Sequence, residues 1–258
     1  FTEGIVAPDE LAGMCASAYN FPVPLEVINF RTFLMRLDQG PTASFKDFAA
    51  QMMARLFGKF LREDGKQVTI LTATSGDTGS AVAHAFHKIP GVRVIVLFPA
   101  AEVSESQRKL MTTLKDNVRT VAIDGKFDDC QAMVKQAFAD PDLKHIPLSS
   151  ANSINIGRLL PQMAYYASTS LELYRREGRK PNFIVPSGNL GNVAAWLWAR
   201  QAGLPIGEVV LATNANLTVP DYLRTGEWQP RPSLATLASA MDVGNPSNME
   251  RLRWLFGD

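Results

Sequence analysis

The feature that most constrains the fold is an alternation of strand-like and helix-like segments through the middle of the chain. Three β-branched apolar runs are each followed by a turn and then by apolar residues at helical spacing. The runs span 68–74, 92–99 and 118–124, and the helix-like segments span 81–89, 104–115 and 127–139. This order is typical of a parallel sheet with helices on both faces. The sequence therefore predicts an α/β fold.

The second half of the chain continues this pattern with wider spacing. Strands are predicted at 182–187 and 208–214 and helices at 152–177 and 193–203, whereas 226–248 is rich in Pro, Ser and Asn and predicts irregular structure. Continuous apolar strands indicate sheets that are covered on both faces. We therefore expect two open, mostly parallel, twisted sheets with helices on both faces.

Composition excludes several classes of function. The chain has 258 residues, of which 46% are hydrophobic, and a net charge of +1. This is enough for one large domain or two modest ones, and no basic run has the density of a nucleic-acid or membrane-surface patch. Two cysteines do not make a disulfide framework, and there is no signal-peptide pattern or apolar run of spanning length. We expect a cytoplasmic protein that binds neither nucleic acid nor membranes.

One lysine stands in an unusual place. Lys46 lies between Phe45 and Phe48, after a Gly-Pro-Thr turn and at the start of a segment with helical apolar spacing over 48–60. Long cations usually favour the last turn of a helix or open water. A desolvated lysine has a lowered pKa and becomes a nucleophilic amine that can form a Schiff base. The placement indicates such an amine.

The loop TATSGDTGS, residues 72–80, follows a predicted strand and opens a helix. Gly76 and Gly79 allow close approach of the backbone. Three residues are of N-cap type: Ser75, Asp77 and Thr78. Exposed N–H groups at such a junction favour an anion. An ordinary capped turn between strand and helix is an equal alternative.

A second loop, VPSGNLGNVAAW at 185–196, repeats this design. Its turn consists of Gly188, Asn189, Leu190, Gly191 and Asn192. Two glycines at a strand-to-helix junction suit a phosphate held by backbone amides. The loop is neither a P-loop nor a dinucleotide fingerprint, because the Gly-Lys-Ser/Thr ending and the three-glycine spacing are missing. A simple Gly-Asn turn is the alternative.

A third segment, SSANSINIGRLLPQ at 149–162, places Asn152 and Ser153 at the predicted start of the helix 152–177, with Arg158 six residues after Asn152. A helix start with a guanidinium nearby can hold a second phosphate. Taken alone, the segment fits an N-cap and a surface arginine better.

Together, these loops and Lys46 indicate one kind of ligand. Ligands of open α/β sheets bind beyond the carboxyl ends of the strands. A phosphorylated aldehyde needs both a reactive lysine and a phosphate cup. The sequence therefore predicts pyridoxal 5'-phosphate as the cofactor.

The same residues carry a family resemblance. The chain resembles the threonine synthases of the bacterial and yeast branch, within the tryptophan-synthase-β-like (fold type II) group of pyridoxal-phosphate enzymes. GPTASFKDF resembles the cofactor-lysine motif, TATSGDTGSAVAHAF the substrate-carboxylate loop and SANSINIGRLLPQ the substrate-phosphate segment. VPSGNLGNVAAW resembles the cofactor-phosphate loop, and ATNANLTVPDYLRTGEWQP the stretch that follows it. The motifs occur in the family's order over most of residues 20–245.

The resemblance implies roles for these residues. Lys46 would form the Schiff base and then move protons. Asp77 would face the cofactor ring, Ser75 would line the substrate side, and Thr78 would lie near the substrate phosphate. That phosphate would be held by Asn152, Ser153 and Arg158. The cofactor phosphate would be wrapped by the backbone amides of Gly188, Asn189, Leu190, Gly191 and Asn192.

The resemblance also implies an organisation of the chain. Residues 1–65 would be the N-terminal part of a large domain with the cofactor lysine, 66–150 a small α/β domain and 151–258 the remainder of the large domain, with the cofactor between the domains. The lysine motif comes early and the family continues past residue 258, so we expect a chain truncated at both ends. The partner of the pyridine nitrogen would then lie outside it. The assembly expected is a monomer or a homodimer.

The implied reaction converts O-phospho-L-homoserine and water into L-threonine and phosphate by β,γ-elimination and replacement. A related lyase, such as a serine/threonine dehydratase or a phospho-amine lyase, is one alternative, and a dehydratase needs no second phosphate site. A truncated member that binds phosphorylated ligands without turnover is another.

Other candidate residues predict no further site. His84 and His87 are three residues apart on a predicted helix, but no third ligand follows at a recognised spacing, so no metal is predicted. Cys130 is expected to be a small core residue, and Trp196 and Trp198 are expected to be buried.

Overall fold

The chain divides after Arg158 into an N-terminal unit and a C-terminal unit, and the computed structural model describes residues 4–257. The elements of the N-terminal unit are α1 (Pro8–Ala18), β1 (Leu25–Asn29), β2 (Thr32–Met35), α2 (Lys46–Asp64), β3 (Val68–Ala73), α3 (Asp77–Phe86), β4 (Val92–Pro99), α4 (Glu105–Thr112), β5 (Val118–Ile123), α5 (Phe127–Ala139) and β6 (Leu148–Ser149). Those of the C-terminal unit are α6 (Met163–Glu177), β7 (Phe183–Pro186), α7 (Gly191–Gln201), β8 (Val209–Ala212), α8 (Thr218–Thr225) and α9 (Met249–Phe256). The division into three segments stays a prediction.

A four-stranded parallel sheet is the centre of the N-terminal unit, with the strand order β5-β4-β3-β6. In the register, Val68 lies opposite Val92, and Thr69 lies opposite Leu148. The three strands predicted here are present within one residue of their predicted ends. The α/β fold class is therefore confirmed. Because the strands are parallel, their carboxyl ends share one edge of the sheet, and the loops after β3 and β6 leave from that edge.

Helices cover both faces of this sheet. Ile70 and Phe86 belong to a buried cluster that includes residues of α2, α3 and α4. Leu71 and Cys130 belong to a second buried cluster on the side of α5. Successive residues of a strand point to opposite faces, so neighbouring positions of β3 contribute to both clusters. Cys130 is a core residue, as predicted.

The C-terminal unit contains a second parallel pair, β7 and β8. Phe183 and Val185 of β7 are buried, whereas Ile184 between them is 71% exposed. The side chains on one face of β7 are therefore buried, and Ile184 on the other face is exposed. Trp196 of α7 is buried, as predicted, whereas Trp198 is only half-buried. The helix is followed by Gly203, which has a positive φ of 87°.

The predicted helix 152–177 is wrong in its first half. The Asn155 side chain donates to the Ser150 carbonyl at 3.0 Å and accepts from the Gly157 amide at 2.9 Å, which holds the chain in a turn. Two 3₁₀ turns follow, at Ile156–Arg158 and Leu160–Gln162. Pro161 lacks the N–H that a longer helix would need. The α-helix begins only at Met163.

Several elements were not predicted. β1 and β2 form an antiparallel hairpin, but most of the residues of β1 are exposed, so the apolar alternation that signals a strand is weak there. α1, α8 and α9 were also missed. The irregular segment 226–248 is confirmed apart from a 3₁₀ turn at Ser239–Met241. In the described part of the chain, the helices are too short or too polar to cross a membrane.

The packing around α3 predicts a large difference between two glycine-to-alanine changes. A Cβ at Gly79 would lie 2.6 Å from Met111 Sδ and 2.9 Å from Val96 Cγ1. We expect Gly79→Ala to lower the free energy of unfolding by about 1–3 kcal/mol through overpacking. Gly13→Ala in α1 is the control, because no heavy atom lies within 4 Å of its Cβ position. It should stabilise by up to about 1 kcal/mol. Guanidinium denaturation measures both, and equal stabilities would contradict this account.

Candidate active site

Lys46 is the first residue of α2, as predicted, and a buried carboxylate holds the turn before it. Asp47 accepts hydrogen bonds from the Thr42 amide and from Thr42 Oγ1, both at 2.8 Å. Gly40 is required beside this carboxylate, since a Cβ there would lie 2.6 Å from Asp47 Oδ2. Sequence reasoning missed Asp47, although a carboxylate in the first turn of a helix is a usable signal.

The apolar face of α2 is shorter than predicted. Phe48 and Met52 are buried, whereas Phe60 is 38% exposed. Met53, outside the predicted stripe, is fully buried. The helix is therefore embedded most deeply around its first turns, next to Lys46.

The Lys46 amine is largely withdrawn from water. Its Nζ lies 3.2 Å from Asp77 Oδ2, and the side chain is 16% exposed. The same atom lies 5.1 Å from the centroid of the Phe45 ring. Burial lowers the pKa of Lys46 below its usual value; the Asp77 charge opposes this effect, and the Arg158 charge adds to it. The amine is therefore desolvated, as the sequence indicated.

Asp77 is the first residue of α3 and uses both carboxylate oxygens. Oδ2 faces Lys46, and Oδ1 accepts a hydrogen bond from Gln107 Nε2 at 2.6 Å. Burial would raise the pKa of Asp77, but the Lys46 charge and the hydrogen bonds from Gln107 and Lys46 outweigh it and keep the pKa below its usual value. Sequence reasoning missed Gln107, which is 30 residues away along the chain.

Thr74, which the sequence did not single out, organises the loop after β3. Its Oγ1 accepts hydrogen bonds from the amides of Gly76, at 2.9 Å, and Gly79, at 2.8 Å. These two amides are therefore already satisfied and are not among the exposed N–H groups expected at this junction. Ser75 is exposed and Thr78 is half-buried. The loop therefore offers a ligand its side chains and its other amides.

The segment after β6 carries the predicted phosphate residues, but in a turn instead of a helix start. Asn152 is hydrogen-bonded to Thr72 Oγ1 of β3, and Ser153 is half-buried in the turn. Arg158 is 3% exposed and donates to the Ala151 carbonyl. The interpretation of this residue as a surface arginine is therefore wrong.

Two buried cations and two carboxylates meet in the N-terminal unit. Burial lowers the pKa of Arg158 to about 10, and the Asp47 charge opposes that shift. Burial raises the pKa of Asp47. Burial lowers the pKa of His84, and the Asp47 charge opposes that shift as well. Among residues 4–257, no three His, Cys, Asp or Glu side chains are grouped as metal ligands. Arg158 thus interacts electrostatically with Lys46 and with Asp47, and Lys46 pairs with Asp77.

The glycine loop 188–192 lies between β7 and α7 in the C-terminal unit. Asn189 Oδ1 accepts from the amide of Ser247 at 2.6 Å and from its hydroxyl at 3.0 Å. Asn248 Nδ2 donates to the Asn189 carbonyl at 3.0 Å. A Cβ at Gly188 would lie 2.8 Å from Met241 Cα, so only glycine fits. Sequence reasoning found the loop but missed the downstream segment that holds it.

The backbone amides of this loop are suited to bind a ligand with negative charge. Leu190 is buried and left-handed, with φ of 61°, and α7 begins at Gly191. Within residues 4–257, no group accepts a hydrogen bond from the amides of Gly188, Leu190 and Gly191. The first amides of a helix are natural anion donors. The side-chain Nδ2 of Asn192 instead donates a hydrogen bond to the Pro186 carbonyl at 2.8 Å.

Comparison with known proteins agrees with these features. Residues 22–254 match the family described as "Pyridoxal-phosphate dependent enzyme". A threonine synthase from Haemophilus influenzae is 48% identical over 255 residues, which cover 98% of this chain and 60% of that protein. The crystal structure of threonine synthase from Escherichia coli has a TM-score of 0.91 and 46% identity, over 100% of this chain and 60% of that one.

A structure of pyridoxal-phosphate-bound threonine synthase from Brucella melitensis has a TM-score of 0.93 and 36% identity, over 100% of this chain and 57% of that one. The chain spans about 60% of the length of the curated relatives it matches. The resemblance to threonine synthases that the motifs indicated is therefore confirmed.

The pKa values of the two buried lysines of α2 should be shifted in opposite directions from their ordinary value. We expect Lys46 to react as a free amine at lower pH in the folded chain than in the chain unfolded in urea, because burial disfavours its ammonium form. Lys59 is the matched control: hydrogen bonds from its amine to Glu10 and Glu63 raise its pKa. Reductive methylation over a pH series, quantified on the peptides of each lysine, measures both midpoints. A Lys46 midpoint equal to that of the unfolded chain would contradict the burial of its amine.

Proposed function

The chain belongs to the pyridoxal-phosphate-dependent enzyme family, and on that premise we propose that it acts as a threonine synthase. Such an enzyme is a carbon–oxygen lyase that converts O-phospho-L-homoserine and water into L-threonine and phosphate. The observation that carries the proposal is the buried Lys46 amine, 3.2 Å from Asp77, in a unit that also buries Arg158. The threonine synthase relatives support this choice of reaction.

Each unit contains residues that fit one part of pyridoxal 5'-phosphate. An aldehyde needs an amine with a lowered pKa, and burial gives Lys46 that property. A phosphate group needs several convergent N–H donors, and the amides at the start of α7 are available for that purpose. When bound, the cofactor supplies an electron sink for negative charge at the substrate α-carbon.

Lys46 would act as the proton carrier of the reaction. Its Nζ would take the proton from the substrate α-carbon and return a proton later in the reaction. Asp77 stabilises the ammonium form that exists between these two steps, because its Oδ2 lies 3.2 Å from Nζ. The Lys46 side chain is only 16% exposed, and partial removal from water strengthens an ion pair.

Arg158 would hold the phosphate of the substrate with help from Asn152, Ser153 and Thr78. A guanidinium offers a planar fork of donors that matches phosphate oxygens. Asn152 is held by its hydrogen bond to Thr72, so its position is set by β3. Ser75 would contact the substrate from the loop before α3. A positive charge already in place at the departing phosphate lowers the barrier for its release.

The setting of the enzyme completes the proposal. Both cysteines of the described chain are free thiols, in keeping with a reducing, cytoplasmic compartment. The substrate is a small molecule, and the assembly would be a monomer or a homodimer.

Borohydride reduction of the cofactor-loaded chain should leave a pyridoxyl group on Lys46. The reason is that this amine loses its proton more readily than an ordinary lysine. Peptide mapping by mass spectrometry locates the adduct, and Lys46→Ala serves as the control that loses it. An adduct on another lysine would remove Lys46 from its assigned role.

Substitution of Arg158 should separate phosphate recognition from other chemistry. Hydrogen bonds to charged groups contribute about 1.5–3 kcal/mol, so we expect Arg158→Lys to lower kcat/KM for O-phospho-L-homoserine roughly 10- to 100-fold. Arg93→Ala, on an exposed residue of β4, is the control and should leave kcat/KM unchanged. Phosphate release is the measurement.

The same assays distinguish the alternative functions. Conversion of L-threonine to an oxo acid, with no effect of Arg158→Lys, would favour a dehydratase. Cofactor absorbance without phosphate release would favour a member that binds its ligands but does not turn them over.

A further inference from the structure

Gln107 is the residue that connects α4 to the loop carrying Asp77. It lies in the first turn of α4, outside every motif of the candidate site. Its side chain donates to Asp77 Oδ1 at 2.6 Å, and its backbone carbonyl accepts from Ser80 Oγ at 3.3 Å. The contact therefore joins two helices that begin after neighbouring strands.

The orientation of the Gln107 amide is determined by a second set of partners. Its Oε1 accepts from the Ser104 amide at 3.2 Å and from Ser104 Oγ at 3.0 Å. A backbone amide can only donate, so the oxygen of the Gln107 amide must face Ser104. The NH₂ group must then face Asp77, which as a carboxylate can only accept.

The loop has little freedom to move away from Gln107. Gly76 has φ of 140°, a backbone conformation that other residues rarely adopt, and a Cβ there would overlap the Gln107 amide. The single proton of the Ser80 hydroxyl is shared between the Gly76 carbonyl, at 3.2 Å, and the Gln107 carbonyl, at 3.3 Å. The side chain of Gln107 is thus packed directly on the turn that precedes Asp77.

We propose that Gln107 is a positioning residue for the Lys46 amine and that it acts through Asp77. Gln107 holds one carboxylate oxygen of Asp77, which keeps the other oxygen on Lys46 Nζ at 3.2 Å. Without that bond the Asp77 side chain, which is 29% exposed, turns toward water and the amine loses its counter-charge. The charged groups that interact with Lys46 are Asp77 and Arg158. The value of this arrangement for catalysis rests on the proposed function, but the contact itself does not.

The test is the titration of Lys46 by reductive methylation in the full chain freed of cofactor. We expect Gln107→Leu, which keeps the volume and removes the donor, to shift the Lys46 midpoint down by about half a pH unit. Asp77→Asn should shift it further in the same direction. No shift, or an upward shift, in Gln107→Leu would overturn the proposal. If Gln107→Leu does not fold, Gln107→Met replaces it with the same expectation.

A double mutant shows whether Gln107 acts through Asp77. Residues that act through one contact are not additive, so Asp77→Asn/Gln107→Leu should have the same midpoint as Asp77→Asn alone. If Gln107→Leu lowered the Lys46 midpoint of Asp77→Asn by as much as it lowers that of the unsubstituted chain, Gln107 would act independently of Asp77. That result would overturn the proposal.

Glu105→Ala separates positioning from the integrity of α4. It removes an acidic residue from the first turn of α4 and its ion pair with Lys109 but leaves the contacts of the Gln107 side chain in place. We expect a lower melting temperature and an unchanged Lys46 midpoint; a shift as large as that of Gln107→Leu would overturn the proposal. Because no substrate or cofactor is used, a chain without threonine synthase activity would still give the predicted titrations.

Discussion

The ion pair between Lys46 and Asp77 is the interaction on which the rest of the candidate site depends. Removal of an ammonium group from water costs several kcal/mol. One carboxylate at 3.2 Å does not offset all of that cost, because the pKa of Lys46 stays lowered. Burial therefore favours the neutral amine, whereas Asp77 favours the charged form. Schiff-base chemistry needs both, since only the neutral amine attacks a carbonyl and only the charged form can give a proton back.

The protein balances these two effects by holding Lys46 and Asp77 in place from separate elements, which meet at one edge of the sheet. Asp47 holds the turn before α2 through Thr42. Thr74 holds the turn before α3 through two glycine amides. In both places a polar side chain accepts hydrogen bonds from backbone amides at or just before a helix start. The topology thus places the site at the carboxyl ends of the strands, and a few polar side chains determine its geometry.

The sequence predicted the parts of this structure that repeat with a regular period. β3, β4 and α5 have strong apolar periodicity, and their bounds were predicted almost to the residue. The motif residues Lys46 and Asp77 were also found, because their neighbours in sequence are unusual. Gln107 was missed because its partner Asp77 is 30 residues away, and the spacing of Ser104 and Gln107 signals only the start of a helix. The false helix start at Asn152 has a local cause, since a hydrogen bond from the Asn155 side chain overrides the helical pattern.

The clamp on the glycine loop has a consequence for the order in which the protein matures. Asn189 is held by Ser247, 58 residues later in the chain, and Gly188 is packed on Met241. During synthesis, β7 and α7 leave the ribosome well before this clamp exists, and contacts of long sequence separation form late. The N-terminal unit, which contains Lys46 and ends at Arg158, can reach its final form earlier. The nascent chain can thus bury Lys46 before the loop 188–192 is held in place.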